Sequence, residues 1–240
     1  MDQIAFETPV LIRIALATLA GTMLCLDRIA FQMMFSRPIV VAPAAGLILG
    51  APLTGLWVGA LIEVFWINKA PLGTYLPPND SIVAAVTAIT VIVLTENTAL
   101  IRQEIIVLAI LYFLPLGFFS QKLELLTARF NESLSKKLLR QTDSGAVQIK
   151  HLSPTLPLLI YACYILSLMT LSLVLGLAVI PWIYRHLPPF AQTALFYTYF
   201  TLPLIGVAVA LSTTQQKKTL TCFSVLFLVS IIFLEILKFI

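Results

Sequence analysis

The chain has 240 residues, of which 60% are hydrophobic and 11% charged, with a formal net charge of +4. A soluble domain carries about 25% charged residues, so this composition excludes an ordinary water-soluble domain and points to a polytopic membrane protein. The Lys/Arg excess then reflects topology rather than nucleic-acid binding, since no basic face with interleaved aromatics accompanies it.

The first apolar run, Pro9 to Leu26, carries Arg13 as its only charge. Its residues reach about 27 Å as a helix, close to the ~30 Å hydrocarbon core. Acidic Asp2 and Glu7 precede it and no clear small-x-small cleavage site follows, so it reads as a retained helix rather than a signal peptide.

The next stretch, Asp27 to Asp80, sets Asp27, Arg28, Gln32, Arg37, Glu63, Asn68, Lys69, Asn79 and Asp80 among apolar residues, five Gly and six Pro. Polar side chains inside broken apolar segments are costly without a compensating role. Ile39 to Gly50 is too short to cross a bilayer, and Pro38 and Pro43 break its hydrogen-bond ladder. It reads as a re-entrant or broken helix, which is tolerated at membrane depth only when packed inside protein. Leu53 to Ile67 is a second interrupted segment, with Gly55 and Gly59 spaced four apart for close helix packing and Glu63 further along the same face. Ala70 to Asp80, with Pro71, Gly73, Pro77 and Pro78, reads as a loop.

Two short apolar segments follow, Ser81 to Thr95 and Ile105 to Phe119, joined by Glu96, Arg102 and Glu104. Lys122 to Lys150 is the one extended polar region, with six basic and three acidic residues. Leucines and Phe130 recur there every three or four residues, so it includes an amphipathic helix, and its basic character marks it as cytoplasmic. Three long spans close the chain: Leu156 to Ile183, Pro189 to Leu211 and Leu220 to Leu237. The Lys217-Lys218 loop falls on the same side as the first basic region, a consistency of the positive-inside rule. The predicted fold class is all-α: a single integral membrane domain over residues 1–240, a polytopic helix bundle with short re-entrant or broken helices in its N-terminal half and a polar cytoplasmic loop around 120–152.

Catalytic chemistry finds no support. The cysteines Cys25, Cys163 and Cys222 lie far apart in apolar runs, without CxxC or Cys/His metal spacing. His151 and His186 are single, no glycine-rich phosphate loop is present, and no nucleophile-base pairing can be assembled. No catalytic residue, cofactor or metal is expected, and whether the chain counts as an enzyme rests on the system it serves.

The segments AGTMLCLDRIAFQMMFSRPIV, GLILGAPLTGLWVGALIEVFW and NKAPLGTYLPPND resemble, in order and spacing, the IIC membrane component of mannose/fructose/sorbose-family sugar phosphotransferase systems. The match is specific over roughly Leu19 to Val86. Two positions depart from the family pattern: its L-G-D turn reads Leu49-Gly50-Ala51, and a late glycine-rich segment reads FAQTALFYTYFTLPL. The resemblance implies a sugar permease subunit of a bacterial inner membrane, moving sugar by an elevator-like displacement of its core. It implies a hetero-oligomer with a IID membrane subunit, and phosphorylation of the sugar by cytoplasmic IIA and IIB proteins. A non-transporting scaffold or sensor that retains the fold is the alternative.

Under that resemblance Gln32, Glu63, Asn68, Asn79 and Asp80 are the expected sugar-binding residues, and Asp27, Arg37 and Pro38 the structural or gating ones. Each has a competing structural reading. Glu63 accepts sugar hydroxyls or pairs with Arg37 or Lys69. Gln32 bonds sugar or a neighbouring helix. Asn68 donates to sugar or caps a helix, and Asn79 and Asp80 close over the site, or Asp80 caps the helix that follows. Trp57 and Trp66 stack on sugar or sit in an interfacial belt.

Overall fold

The structure is a computed structural model that describes residues 8–67, 76–97, 100–143 and 155–212. Within them the chain forms helices only, α1 (Thr8–Leu26), α2 (Pro38–Leu49), α3 (Pro52–Phe65), α4 (Asp80–Asn97), α5 (Arg102–Asp143), α6 (Thr155–His186) and α7 (Pro189–Ser212). Four of them, α1, α5, α6 and α7, are long and apolar enough to cross a membrane. The chain is a multi-pass membrane protein. The last expected span, Leu220 to Leu237, lies outside the described residues.

The short segments after α1 form a helical hairpin. α2 has 12 residues and α3 has 14, about 18 and 21 Å long, so neither spans the ~30 Å core. Pro38 and Pro52 occupy first-turn positions, where a missing N–H leaves nothing unpaired. Pro43 sits inside α2 without ending it. The expected interruption is therefore a continuous helix that omits one ladder bond. Gly50 reverses the chain in the left-handed region, at φ 89°, and the Ala51 N–H returns to the Gly46 carbonyl at 2.8 Å. Only glycine adopts that backbone freely.

Close approach then locks the two helices. A Cβ on Gly55 would lie 2.4 Å from the Ala42 carbonyl oxygen, and one on Gly59 would lie 2.5 Å from that of Pro38. Small residues four apart let backbones meet in this way where lipid offers no hydrophobic drive.

The hairpin packs on α4, which also meets α1, α5 and α6. Every residue from Ser81 to Leu94 is buried. This explains the short, evenly apolar reading of that segment: it is wrapped by protein on all sides rather than facing lipid. By contrast only 11% of the α7 span is buried, so α7 stands at the periphery, with Gly206 against Val64 of α3.

The structure alters one sequence-based element. The apolar segment Ile105 to Phe119 and the polar region after it are one helix, α5, running unbroken through Pro115 to Asp143. Its 42 residues reach about 63 Å, twice the hydrocarbon thickness. The amphipathic helix expected within the polar stretch is thus, as far as Asp143, a direct continuation of the apolar segment rather than a separate element of a loop.

Replacing Gly55 by Ala inserts a methyl group into backbone that cannot yield. The expected result is a loss of about 1–3 kcal/mol, read as a lowered midpoint of thermal unfolding in detergent. Ala51→Ser, at the open hairpin tip, leaves the midpoint unchanged.

Candidate functional site

Asp27 ends α1 and organises the loop that follows. Buried at 3% exposure, its carboxylate accepts the backbone N–H groups of Met33 at 2.9 Å and Ser36 at 3.3 Å. Its carbonyl accepts the Gln32 N–H at 2.7 Å. Held this way, Gln32 and Met34 take left-handed backbone, at φ 56° and 65°. For residues with a Cβ such conformations cost on the order of 1–3 kcal/mol and persist only where the surroundings impose them.

Arg28, the next residue, joins three segments. Its guanidinium donates to Asp80 at 3.3 Å and to the Pro77 carbonyl at 2.7 Å, and lies 3.7 Å from Glu124 of α5. Glu124 also accepts Asn79 Nδ2 at 2.6 Å and the Tyr161 hydroxyl. Asn79 caps α4 through its side-chain oxygen, which accepts the Ile82 N–H at 3.1 Å. Its own N–H donates to Gly117 at 3.1 Å. One Asn therefore ties the start of α4 to α5 through both its side-chain amide and its backbone N–H. Gln121 donates to the Leu76 carbonyl and Ser81 to that of Ser36, closing the same junction.

Below it, Arg37 pairs with Glu63 across the mouth of the hairpin at 3.0 Å, and Glu63 also accepts the Ile39 N–H at 3.4 Å. Glu63 thus meets one orphan donor of the first turn of α2 and fixes the Arg37 guanidinium.

These groups surround a cavity of about 560 Å³. Arg28, Gln32, Ser36, Arg37, Trp66 and Asp80 line it. It offers guanidinium and amide donors, a carboxylate and hydroxyl acceptors, and the indole of Trp66, which is 7% exposed and lies edge-on to Phe118. A few convergent polar groups on an otherwise apolar wall make a small-molecule site.

The family comparison matches residues 11–239 to the sorbose-specific IIC component of the PTS, the sugar phosphotransferase system. The chain belongs to this family. Two solved structures share its fold. One, described as a membrane protein, aligns with a TM-score of 0.69 at 17% identity, over 94% of this chain and 87% of that one. The other is the mannose transporter ManYZ in complex with microcin E492, with a TM-score of 0.53 at 15% identity, over 92% and 86%. No curated protein sequence is a significant match.

In this IIC chain the expected site residues separate into three groups. Gln32, Asp80 and Arg37 line the cavity. Asp27, Asn79 and Glu63 stand behind the wall and hold it in place, and Pro38 is buried at the start of α2. Asn68 lies outside the described residues. For Glu63 the ion-pair alternative is the one observed, with Arg37 as partner, and for the α4 cap Asn79 supplies the N-terminal side-chain bond more than Asp80 does. Trp66 faces the cavity and not a lipid belt, whereas Trp57 is 41% exposed beside Tyr199.

Sequence reasoning missed Glu124 and Tyr161 as members of this junction, and gave Arg28 no role. In sequence Glu124 is one of the three acidic residues of the polar region Lys122 to Lys150. The signal that could have found it is the polar series Ser120, Glu124, Thr127 and Asn131, whose spacing places all four on one face of α5.

The two arginines predict opposite sensitivities. Arg28→Ala strands Asp80 and Glu124 in the protein interior and is expected to cost about 3 kcal/mol or more. Arg37 is 48% exposed, so Arg37→Ala is expected to cost no more than about 1 kcal/mol. Thermal or denaturant unfolding of the two variants in the same detergent measures the difference.

Proposed function

We propose that the chain is the sugar-translocating subunit of a phosphotransferase system of the mannose/fructose/sorbose class, and that the cavity beside the hairpin mouth binds the sugar. The observation that carries this is a cavity in a IIC-family chain lined by Arg28, Gln32, Arg37, Asp80 and the aromatic Trp66. Gln32 presents both a donor and an acceptor to vicinal hydroxyls. Asp80 accepts, Arg28 and Arg37 donate, and Trp66 provides a face for the apolar side of the ring. Asn68 remains part of the proposed binding set, and Glu63 and Asn79 act by holding Arg37 and the start of α4.

The chain's own residues bind and carry; cytoplasmic IIA and IIB proteins bring the phosphate. A IID membrane subunit is the proposed partner, supported by the broad apolar surface of α6 and α7, where Trp182, Phe190 and Tyr197 are 61%, 77% and 65% exposed. The setting is a bacterial cytoplasmic membrane. The sugar-carrying core is the moving body, displaced in an elevator-like manner.

The departure from the family at Ala51 does not weaken this reading. Ala51 is at the hairpin tip, one helix length, about 18 Å, from the Arg37 end that borders the cavity. A carboxylate missing there leaves the proposed sugar contacts in place.

Gln32→Ala is expected to weaken hexose binding about tenfold or more and to reduce uptake in parallel, while assembly with the membrane partner is retained. The assay is uptake of labelled hexoses in cells carrying the complete system, with co-purification as the assembly control. Wild-type uptake and affinity in this variant overturn the site.

A further inference from the structure

Arg28 stands between two carboxylates and makes a full-strength bond to neither. Its Nη1 is 3.3 Å from Asp80 Oδ1, and its Nε is 3.7 Å from Glu124 Oε1. A charge-assisted guanidinium–carboxylate bond settles at about 2.7–2.9 Å. The close contact is the one from Nη2 to the Pro77 carbonyl, at 2.7 Å. The two acids also differ in what they face. Asp80 lines the cavity, whereas Glu124 stands behind Arg28 on α5.

Glu124 is unevenly used. Its Oε1 receives Asn79 Nδ2 at 2.6 Å and the Tyr161 hydroxyl, while its Oε2 is buried with no hydrogen-bond partner among the described residues. Buried polar atoms are nearly always paired, and each exception in a native structure calls for a reason. This oxygen is closed to solvent, so its partner must come from the protein itself. Arg28 is already beside the same carboxylate. A guanidinium matches both oxygens of a carboxylate with two parallel N–H bonds, and Nε has to close by only about 1 Å to begin doing so.

Asp80 meanwhile cannot serve Arg28 and a sugar equally. A sugar hydroxyl that donates to Asp80 competes with Arg28 Nη1, and a guanidinium left without an acid inside protein is costly.

We propose that Glu124 is a positioning residue of the sugar site, which takes over the Arg28 guanidinium when a sugar hydroxyl engages Asp80. Without sugar, Arg28 rests between the two acids. With sugar, it closes onto Glu124, pairs Oε2 and leaves Asp80 free to accept. Glu124 never touches the sugar; it lowers the cost of drawing Arg28 off Asp80. A sugar shifts Arg28 only by binding the Glu124-paired arrangement more tightly, and its hydroxyl on a freed Asp80 supplies that preference. Tyr161 works against the transfer, because its hydroxyl occupies Oε1 and weakens the pull of Glu124 on Arg28. The inference rests on the sugar-site reading above and adds to it the means by which Asp80 becomes available.

The test is equilibrium binding of a labelled hexose to the full chain co-purified with its membrane partner. Glu124→Gln keeps an amide oxygen for Asn79 and Tyr161 but loses the charge, and is expected to bind hexose about tenfold more weakly. In an Asp80→Asn background, which keeps an acceptor for sugar but no acid to hold Arg28, the same substitution is expected to change affinity by no more than about twofold. Tyr161→Phe acts in the opposite sense and tightens binding. A residue that only supports the fold would weaken binding in both backgrounds. Wild-type affinity in Glu124→Gln, or losses of equal size in both backgrounds, overturn the positioning role; a continued response to Gln32→Ala then leaves the transport reading standing. If Glu124→Gln does not fold, Tyr161→Phe decides alone, and unchanged or weaker binding in that variant overturns the role. Absence of any hexose binding in wild type overturns both.

Discussion

The N-terminal half of the bundle depends on a single guanidinium. Arg28 meets Asp80 at the start of α4, the Pro77 carbonyl just before it and Glu124 on α5, so two segments distant in sequence converge on one side chain. In water such contacts are nearly neutral in free energy, but this junction is largely closed to solvent, with side-chain exposures of 16%, 19% and 3%. There the balance shifts: removing one partner of a buried pair costs several kcal/mol, while the intact pair adds little net stability over an apolar isostere. The network is therefore better understood as a constraint on geometry than as a source of stability. It fixes where α4 begins relative to α5. The cavity walls inherit their positions from that choice.

The hairpin follows a different logic. Lipid tails are as apolar as leucine, so α2 and α3 gain nothing from hiding side chains from water at membrane depth. Their association rests on backbone contact at Gly55 and Gly59, where many small dispersion terms add up. Ion pairs act at the open end of the hairpin and glycine packing along its length. In the Arg37–Glu63 pair the arginine is half exposed and the glutamate largely covered; the pair contributes orientation, while the glycines determine whether the hairpin forms.

How much of this was legible in the sequence follows from the range of each interaction. Glycine and proline act on their own backbone, so the re-entrant pair, its four-residue glycine spacing and the shortness of α2 can be read from residues 38–59 alone. The cluster of polar residues after Asp27 likewise announced the cavity, and Gln32, Arg37 and Asp80 do line it. What stayed hidden needs the third dimension. Glu124 belongs to the site because α5 continues as a helix past its apolar part and turns one polar stripe inward, toward Arg28 and Asn79. Taken singly, such a charge looks like its solvated neighbours Lys122 and Arg129, and only the helical spacing of Ser120, Glu124, Thr127 and Asn131 sets it apart. Asn79 and Asp80 are adjacent, yet they take different partners: the Asn79 amide donates to Glu124, whereas the Asp80 carboxylate accepts from Arg28.

The enclosure of α4 has a consequence for the order in which the protein can be built. α4 leaves the ribosome after α1, α2 and α3 but before α5 and α6, which supply much of its cover. At that moment Arg28 already exists and can neutralise Asp80, and the hairpin can shield one flank. Glu124 and Tyr161 do not yet exist, so the Asn79 amide and the far flank of α4 must wait in a partly assembled membrane. The nascent chain thus passes through a stage in which a complete hairpin shelters an incomplete core, and synthesis of α5 and α6 is the event that seals it.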